Sequence, residues 1–487
     1  MTSWFSLLQQ TLNSEGLEHH SLVPQQHWCP TLETLSEAFS QWYVSLNNPF
    51  PIFVFVDGHQ KDCDGSTIDE RFLEILRSKK IAFAWKDVAD ICEVNKDCLH
   101  ASFEHISKIK TIFSTENASA IVVLGSGTVT DLVKHALFES GMPTPLVTVP
   151  TAISVTAYTS AFSVLDYGGA KRTKNSAPVS TVFWTYDFVS RAPIAMSRAG
   201  YGDLLAPFFA YADWWLAHRL GLTDNYSEAS HRLLEPFFEG IKQSASGLSS
   251  FPLSQSTTEC LCATLGMAGI GMNIAGETAP FSGLEHAVSH GLDYIRMTSD
   301  RPLVLHGEQV ALSCLASAAI YDWIIEQPKP DVRKWRRETE DSSKKVLMQI
   351  LADAPYWGEA EKSLSSEERE KKLLQIEQCI HCAEMEFSKD YAAKHAKWSA
   401  LLPLRKEIAE NWQEIMNNLR SRTIRSHELE SLMAQARLPL SPEHTTPTTA
   451  AIEFRWALRF APFVRARASV ADLLFWMGED PAIIAGI

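Results

Sequence analysis

The chain has 487 residues, 45% of them hydrophobic and 21% charged, which is enough apolar material for two or three packed domains and excludes a disordered composition. A formal net charge of −14 argues against nucleic acid as the main partner, since phosphate-backbone binding needs clustered cations, but it leaves room for a local basic pocket. The nine cysteines, odd in number and widely spread, do not form a disulfide framework. The start, MTSWFSLLQQ, lacks the cationic and apolar regions of a signal peptide, and no apolar run reaches the roughly eighteen residues of a spanning helix. A cytoplasmic protein without membrane insertion is expected.

Residues 1–50 read as an N-terminal extension. PIFVFVD at 51–57 predicts a buried strand ending in Asp57, residues 67–78 a helix, IAFAW at 81–85 a strand and 101–115 a helix. SAIVVL at 119–124 is the clearest strand and runs into GSGTVTD, with a helix from about Leu132; LVTVP at 146–150 is another strand. Strands alternating with helices imply a mostly parallel sheet across 51–193, an α/β Rossmann-like domain whose ligands sit at the carboxyl ends of the strands. GSGTVTD and TAISVTAYTS (151–160) both fall there. From 194 to 487 long amphipathic stretches predict an all-α domain, with a charged, solvated insert at about 328–375 and a Pro/Thr/Ser-rich connector at 436–449.

Gly125-Ser126-Gly127-Thr128 follows a strand and opens a helix. Two glycines let the backbone turn tightly and approach a pyrophosphate, and the free N–H groups at the helix start favour an anion. Thr130 stands where the dinucleotide fingerprint has its third glycine, so the motif alone also fits a plain strand–helix corner. Asp131 is a helix-start carboxylate or a loop and cofactor contact.

In the helical half, Asp203 lies in AGYGDLL, His286 and His290 in SGLEHAVSH, and His306 in VLHGEQV. The two histidines four apart share one helix face. A carboxylate and two imidazoles would leave a coordination position open for substrate, as catalytic zinc sites do, and iron and nickel accept similar ligands. Taken singly, each residue also has a bland reading: a cap, a packed polar pair, a turn. The same holds for Cys379 and Cys382, a lone CxxC around His381 read as reduced cysteines on a helix.

Together and in order, these motifs resemble the glycerol-1-phosphate dehydrogenases, which share a fold superfamily with iron-containing alcohol dehydrogenases and 3-dehydroquinate synthase. The resemblance rests on GSGTVTDLVK (125–134), VPTAISVTAYTS (149–160), AGYGDLL (199–205), ADW (212–214), SGLEHAVSH (282–290), LHGEQV (305–310), LPLSPE (438–443) and VRARASVADLL (464–474). It implies a dehydroquinate synthase-like fold, with Gly127, Thr128, Val129, Thr130 and Asp131 on the pyrophosphate of NAD or NADP. Thr151, Ser154 and Ser160 would also lie near the cofactor, and Asp57 matches loosely an acidic residue near the ribose. Asp203, His286 and His306 would hold one divalent metal, zinc first, with nickel or iron as alternatives. His290 would touch substrate or relay its proton, so that His290 and Asp203 are the candidate catalytic residues. A homo-oligomer is also implied.

One departure concerns the substrate. The family pattern TAPSxDGxxS carries an aspartate that contacts substrate hydroxyls; here Thr156 stands in that position, with Ile153 and Ala157 replacing the neighbouring Pro and Gly, and Pro207 replacing a usual Lys. The expected activity is the metal-dependent, NAD(P)-linked interconversion of sn-glycerol-1-phosphate and dihydroxyacetone phosphate, or of a related small polyol phosphate. Lys171 and Arg172 would meet the phosphate or serve as surface charges of a hairpin. The rival readings are a synthase-like lyase that returns its hydride within one turnover, a non-catalytic descendant that still binds NAD, and a dehydrogenase of unphosphorylated, glycerol-like polyols.

Overall fold

The computed structural model describes residues 3–59, 61–63, 65–167, 170–335, 340–357, 364–400 and 404–486; part of the charged insert expected at 328–375 therefore lies outside the described residues. The chain divides into two compact units. One comprises Met1–Tyr167, Arg172–Leu204 and Glu228–Thr278; the other comprises Gly168–Lys171, Leu205–Ser227 and Ala279–Ile487.

The first unit is built on a parallel six-stranded sheet. Its strands are β1 (Gln25–Cys29), β2 (Ile52–Val56), β3 (Phe83–Asp87), β4 (Ile121–Gly125), β5 (Leu146–Pro150) and, after the hairpin β6 (Phe162–Tyr167) and β7 (Ala170–Asn175), β8 (Thr181–Thr185). The spatial order is β1-β8-β5-β4-β2-β3. β2, β4, β5 and β8 are buried along their whole length, as expected of continuous apolar runs in a parallel sheet covered on both faces. Helix α1 (Trp4–Ser14) precedes β1, and α2 (Leu32–Ser45), α3 (Ile68–Ser78), α4 (Ile106–Thr115) and α5 (Gly127–Ser140) lie between the strands, joined by α6 (Ile194–Asp203) and, after α7 (Pro207–Arg219) in the second unit, α8 (Gln255–Ala275). Phe39 of α2, Phe72 of α3 and Phe183 of β8 meet in the core, with ring centroids 5.2 Å apart for each pair with Phe39.

Within residues 1–50, β1 is an edge strand in register with β8 (Gln25 opposite Thr181), and Phe5 of α1 stacks on Trp28 at 5.6 Å. QQHWC carries no apolar alternation, so nothing local marks it as a strand; its partner does. α6 and the segment 228–278 fall in the unit that contains the sheet. Gly200 shows why α6 packs so closely: a Cβ there would fall 1.7 Å from the carbonyl oxygen of Ile153, in the segment that follows β5. Asn273 of α8 pins the same segment, donating to the Thr159 carbonyl (3.0 Å) and accepting from Ala161 N–H (2.7 Å).

The second unit is helical. α9 (Leu284–Thr298) and α10 (His306–Ile325) are buried over most of their circumference, and α11 (Ser366–Ala400), α12 (Ala451–Val464) and α13 (Val470–Met477) complete the part used below. Tyr294 of α9 packs among Phe387 of α11 and Trp456 and Phe460 of α12. No helix among the described residues is long and apolar enough to cross a membrane.

Candidate metal centre and cofactor loop

The glycine turn sits at the carboxyl end of β4, as the spacing predicts. The helix begins five residues earlier than expected, at Gly127, because Ser126 C=O accepts both the Thr130 N–H (3.2 Å) and the Thr130 hydroxyl (2.8 Å), which closes the first turn. Ser126 makes no side-chain cap. A Cβ on Gly127 would lie 2.6 Å from Val155 Cγ2, so only glycine lets the loop lie against the 151–160 segment. Thr151 N–H donates to Gly125 C=O at 3.0 Å and carries the ladder one residue past β5, setting the two segments side by side.

The side chains of this loop divide by role. Val129 and Thr130 are buried, so whatever they offer a phosphate comes from the backbone. Asp131 turns inward: it accepts from Val164 N–H (3.1 Å) and lies 3.2 Å from the Lys134 ammonium. Lys134 is fully buried and also donates to the carbonyls of Ala157 (2.9 Å) and Ser160 (3.1 Å). Burial pulls its pKa down, and Asp131 opposes that shift. The Ser160 hydroxyl donates to Phe162 C=O (3.1 Å), so this expected cofactor contact is engaged inside the fold. Thr128, Ser154 and Thr156 are half-buried; Thr151 is buried.

Asp57 follows β2 and pairs with Lys61, while accepting from His59 N–H at 3.1 Å. In register with β2, Asp87 ends β3 and caps the next helical turn through Ala89 N–H (2.9 Å). Asp69 of α3 is pushed up to about 6 by burial, with Asp57 and Asp87 adding to the shift and Lys61 opposing it.

His286 on α9 and His306 at the start of α10 lie in the second unit, and Asp203 ends α6 in the first. A carboxylate with two imidazoles is the donor chemistry of zinc, iron or nickel. The two imidazole rings are 5.1 Å apart, and His290 lies 6.2 Å from His306. His286 Nδ1 is 2.9 Å from Glu285 Oε1, which also accepts from Gly283 N–H (2.6 Å); a carboxylate behind a ligating imidazole orients the ring and raises its basicity.

The start of α9 is held by Asp213 of α7, which accepts from Leu284 N–H and Val470 N–H, each at 2.7 Å, and from the Tyr321 hydroxyl at 2.6 Å. One buried carboxylate thus caps α9 and α13 together. Burial, then the nearby Glu285, pushes Asp213 up to about 7 against these hydrogen bonds.

His290 is buried, with Arg465 Nη2 at 2.8 Å from its Nε2. Burial first, then the Arg465 and Lys171 charges, hold the imidazole well below its usual range. Arginine only donates, so His290 is a neutral hydrogen-bond acceptor here. Lys171 pairs with Asp293 of α9 at 2.6 Å, which corrects the reading of it as a surface charge of the hairpin. Sequence reasoning missed Asp213, Glu285, Asp293, Lys134 and Arg465 as individuals. Four of them stand inside the matching motifs (ADW, SGLEH, GSGTVTDLVK, VRARAS), which was the available signal.

A parallel sheet with a glycine-led helix at the carboxyl end of a central strand offers an anion the free N–H groups of that helix start. Residues 70–193 match the family model for iron-containing alcohol dehydrogenase. The chain is 29% identical over 208 residues to a glycerol-1-phosphate dehydrogenase [NAD(P)+] of Bacillus velezensis, which covers 42% of this chain and 51%, about half, of that protein. It is 24% identical over 315 residues to the Bacillus subtilis protein of the same name, covering 64% of this chain and 76% of that one. In fold it is similar to a halo-thermophilic archaeal alcohol dehydrogenase from a Red Sea brine pool, with a TM-score of 0.51, 11% identity, and coverage of 95% and 96% of the two chains.

Proposed function

We propose that the chain is a metal-dependent, NAD(P)-linked dehydrogenase that interconverts sn-glycerol-1-phosphate and dihydroxyacetone phosphate, or a closely related polyol phosphate. The observation that carries this is the pair of imidazoles His286 and His306, with ring centroids 5.1 Å apart, and the Glu285 carboxylate behind His286. The glycine loop and the named relatives agree with it.

Asp203, His286 and His306 would hold the ion, which supplies Lewis-acid polarisation of the substrate's secondary oxygen while NAD(P) exchanges the hydride. The N-terminus of α5, with Gly127 and Thr128 exposed enough to meet a ligand, would receive the pyrophosphate. His290, neutral and beside His306, would accept a hydrogen bond from the substrate hydroxyl's neighbourhood or pass its proton on, a role typically worth about 10²–10⁴-fold. Arg465 keeps that ring oriented and adds positive charge suited to a phosphate ester. Thr156 replaces a charged residue in the family's substrate floor, and that observation favours a related polyol phosphate as the second reading.

The test is a panel of triose and tetrose phosphates and free polyols with both nicotinamide cofactors and with zinc, nickel and iron. Turnover of glycerol-1-phosphate or a near analogue, dependent on metal, is the expected result. No net NAD(P)H change with any polyol or polyol phosphate would overturn it.

A further inference from the structure

Behind His306 lies a run of buried polar side chains that the proposed chemistry leaves without a role. His306 Nδ1 is 3.2 Å from Ser289 Oγ; the Ser289 hydroxyl donates to Gln309 Oε1 (2.7 Å); Gln309 Nε2 donates to Asp293 Oδ1 (3.0 Å); and Asp293 Oδ2 is 2.6 Å from Lys171 Nζ. Ser289, Gln309 and Asp293 are all at most 1% exposed. Ser289 and Asp293 share with His286 and His290 one face of α9, at three- and four-residue spacing, and Gln309 lies one turn into α10 from His306.

The direction of every hydrogen bond in this run follows from its far end. An ammonium only donates and a carboxylate only accepts, so Asp293 beside Lys171 takes the amide N–H of Gln309. The amide oxygen of Gln309 therefore faces Ser289 and takes its single hydroxyl proton. Ser289 is left only lone pairs towards His306, so His306 must carry its proton on Nδ1 and keep its lone pair on Nε2. We infer that the Lys171–Asp293–Gln309–Ser289 relay fixes the tautomer of His306 and so presets its Nε2 for a divalent metal, with Asp293 as the positioning residue that sets the polarity. The inference rests on the reading of His306 as a metal ligand. It assigns to His306, through a chain of hydrogen bonds, what Glu285 does for His286 by direct contact.

Asp293→Asn distinguishes polarity from packing. Lys171 draws the new amide oxygen to itself, and the N–H₂ of the substituted side chain then faces Gln309. Gln309 turns over in response, and Ser289 is free to donate to His306 Nδ1. The wrong tautomer results, although volume and most contacts are unchanged. Zinc affinity, measured by competition with a chromogenic chelator, should fall on the order of 10–100-fold. Ser289→Ala removes the hydroxyl that directs the His306 ring without imposing the opposite polarity, so its loss should be smaller than that of Asp293→Asn. Adding Lys171→Met to Asp293→Asn removes the bias on the asparagine and should recover part of the affinity.

In metal-free wild type, the ring ¹⁵N shifts of His306 (the signal absent from His306→Gln) should report a proton on Nδ1, and this measurement decides the matter even if Asp293→Asn fails to fold. Wild type that binds zinc but carries the proton on Nε2, or a folded Asp293→Asn with wild-type affinity, overturns the relay alone. Wild type that binds no zinc, nickel or iron overturns the metal reading itself.

Discussion

The Lys134 ammonium, wholly enclosed in the first unit, lies 3.2 Å from the Asp131 carboxylate and donates to the backbone of the 157–160 segment. A helix that begins at the glycine turn is thereby tied to the segment that follows β5. Lys134→Met should leave Asp131 without its charge partner and two carbonyls without donors. A loss of about 3–5 kcal/mol is expected in denaturant unfolding. A loss below about 1 kcal/mol would show that the tie does not hold these segments.

Gly127→Ala places a methyl 2.6 Å from Val155 and pushes the loop off its neighbour. NADH affinity, followed by fluorescence titration, should weaken at least about tenfold, about 1.4 kcal/mol, with little change in thermal stability. Unchanged affinity would place the pyrophosphate elsewhere.

Metal content separates the two kinds of candidate ligand. His306→Ala should lose bound metal and with it turnover, and add-back should not restore it. Cys382→Ala, exposed on α11, should retain both. Chelation of wild type followed by metal add-back should abolish and restore activity; turnover indifferent to chelation would remove the metal claim.

The substrate floor is tested by Thr156→Asp. A gain of glycerol-1-phosphate turnover, read as kcat/KM, is expected if threonine marks a shifted substrate. Wild type that already uses this substrate efficiently would show that the replacement is neutral.

Asp69 gives a pH dependence with a defined sign. Its carboxyl titrates at about 6 in the fold, raised chiefly by burial, against about 3.9 in an unfolded chain. The native state thus binds the extra proton between these values, and the group lowers stability as pH rises through that window. Asp69→Asn should be more stable than wild type at pH 7, with the advantage shrinking towards pH 5. An advantage constant across that range would rule out the carboxyl as its source.

The strands β2, β4 and β5 and the turn into α5 were legible because continuous apolar runs and a Gly-x-Gly corner are local signals. The β1 strand was not, since QQHWC acquires its conformation from a partner distant in sequence.

The order of residues alone determined which side chains offer metal-type donors, that His286 and His290 share a helix face, and that a helix start follows a glycine turn. Only the tertiary structure decided that His306 approaches His286, that Asp213 caps two helices, and that Asp293 reaches His306 through Gln309 and Ser289. Helical periodicity propagates over a few residues, whereas these groupings depend on which buried polar groups must satisfy one another once water is excluded, and that is settled by packing.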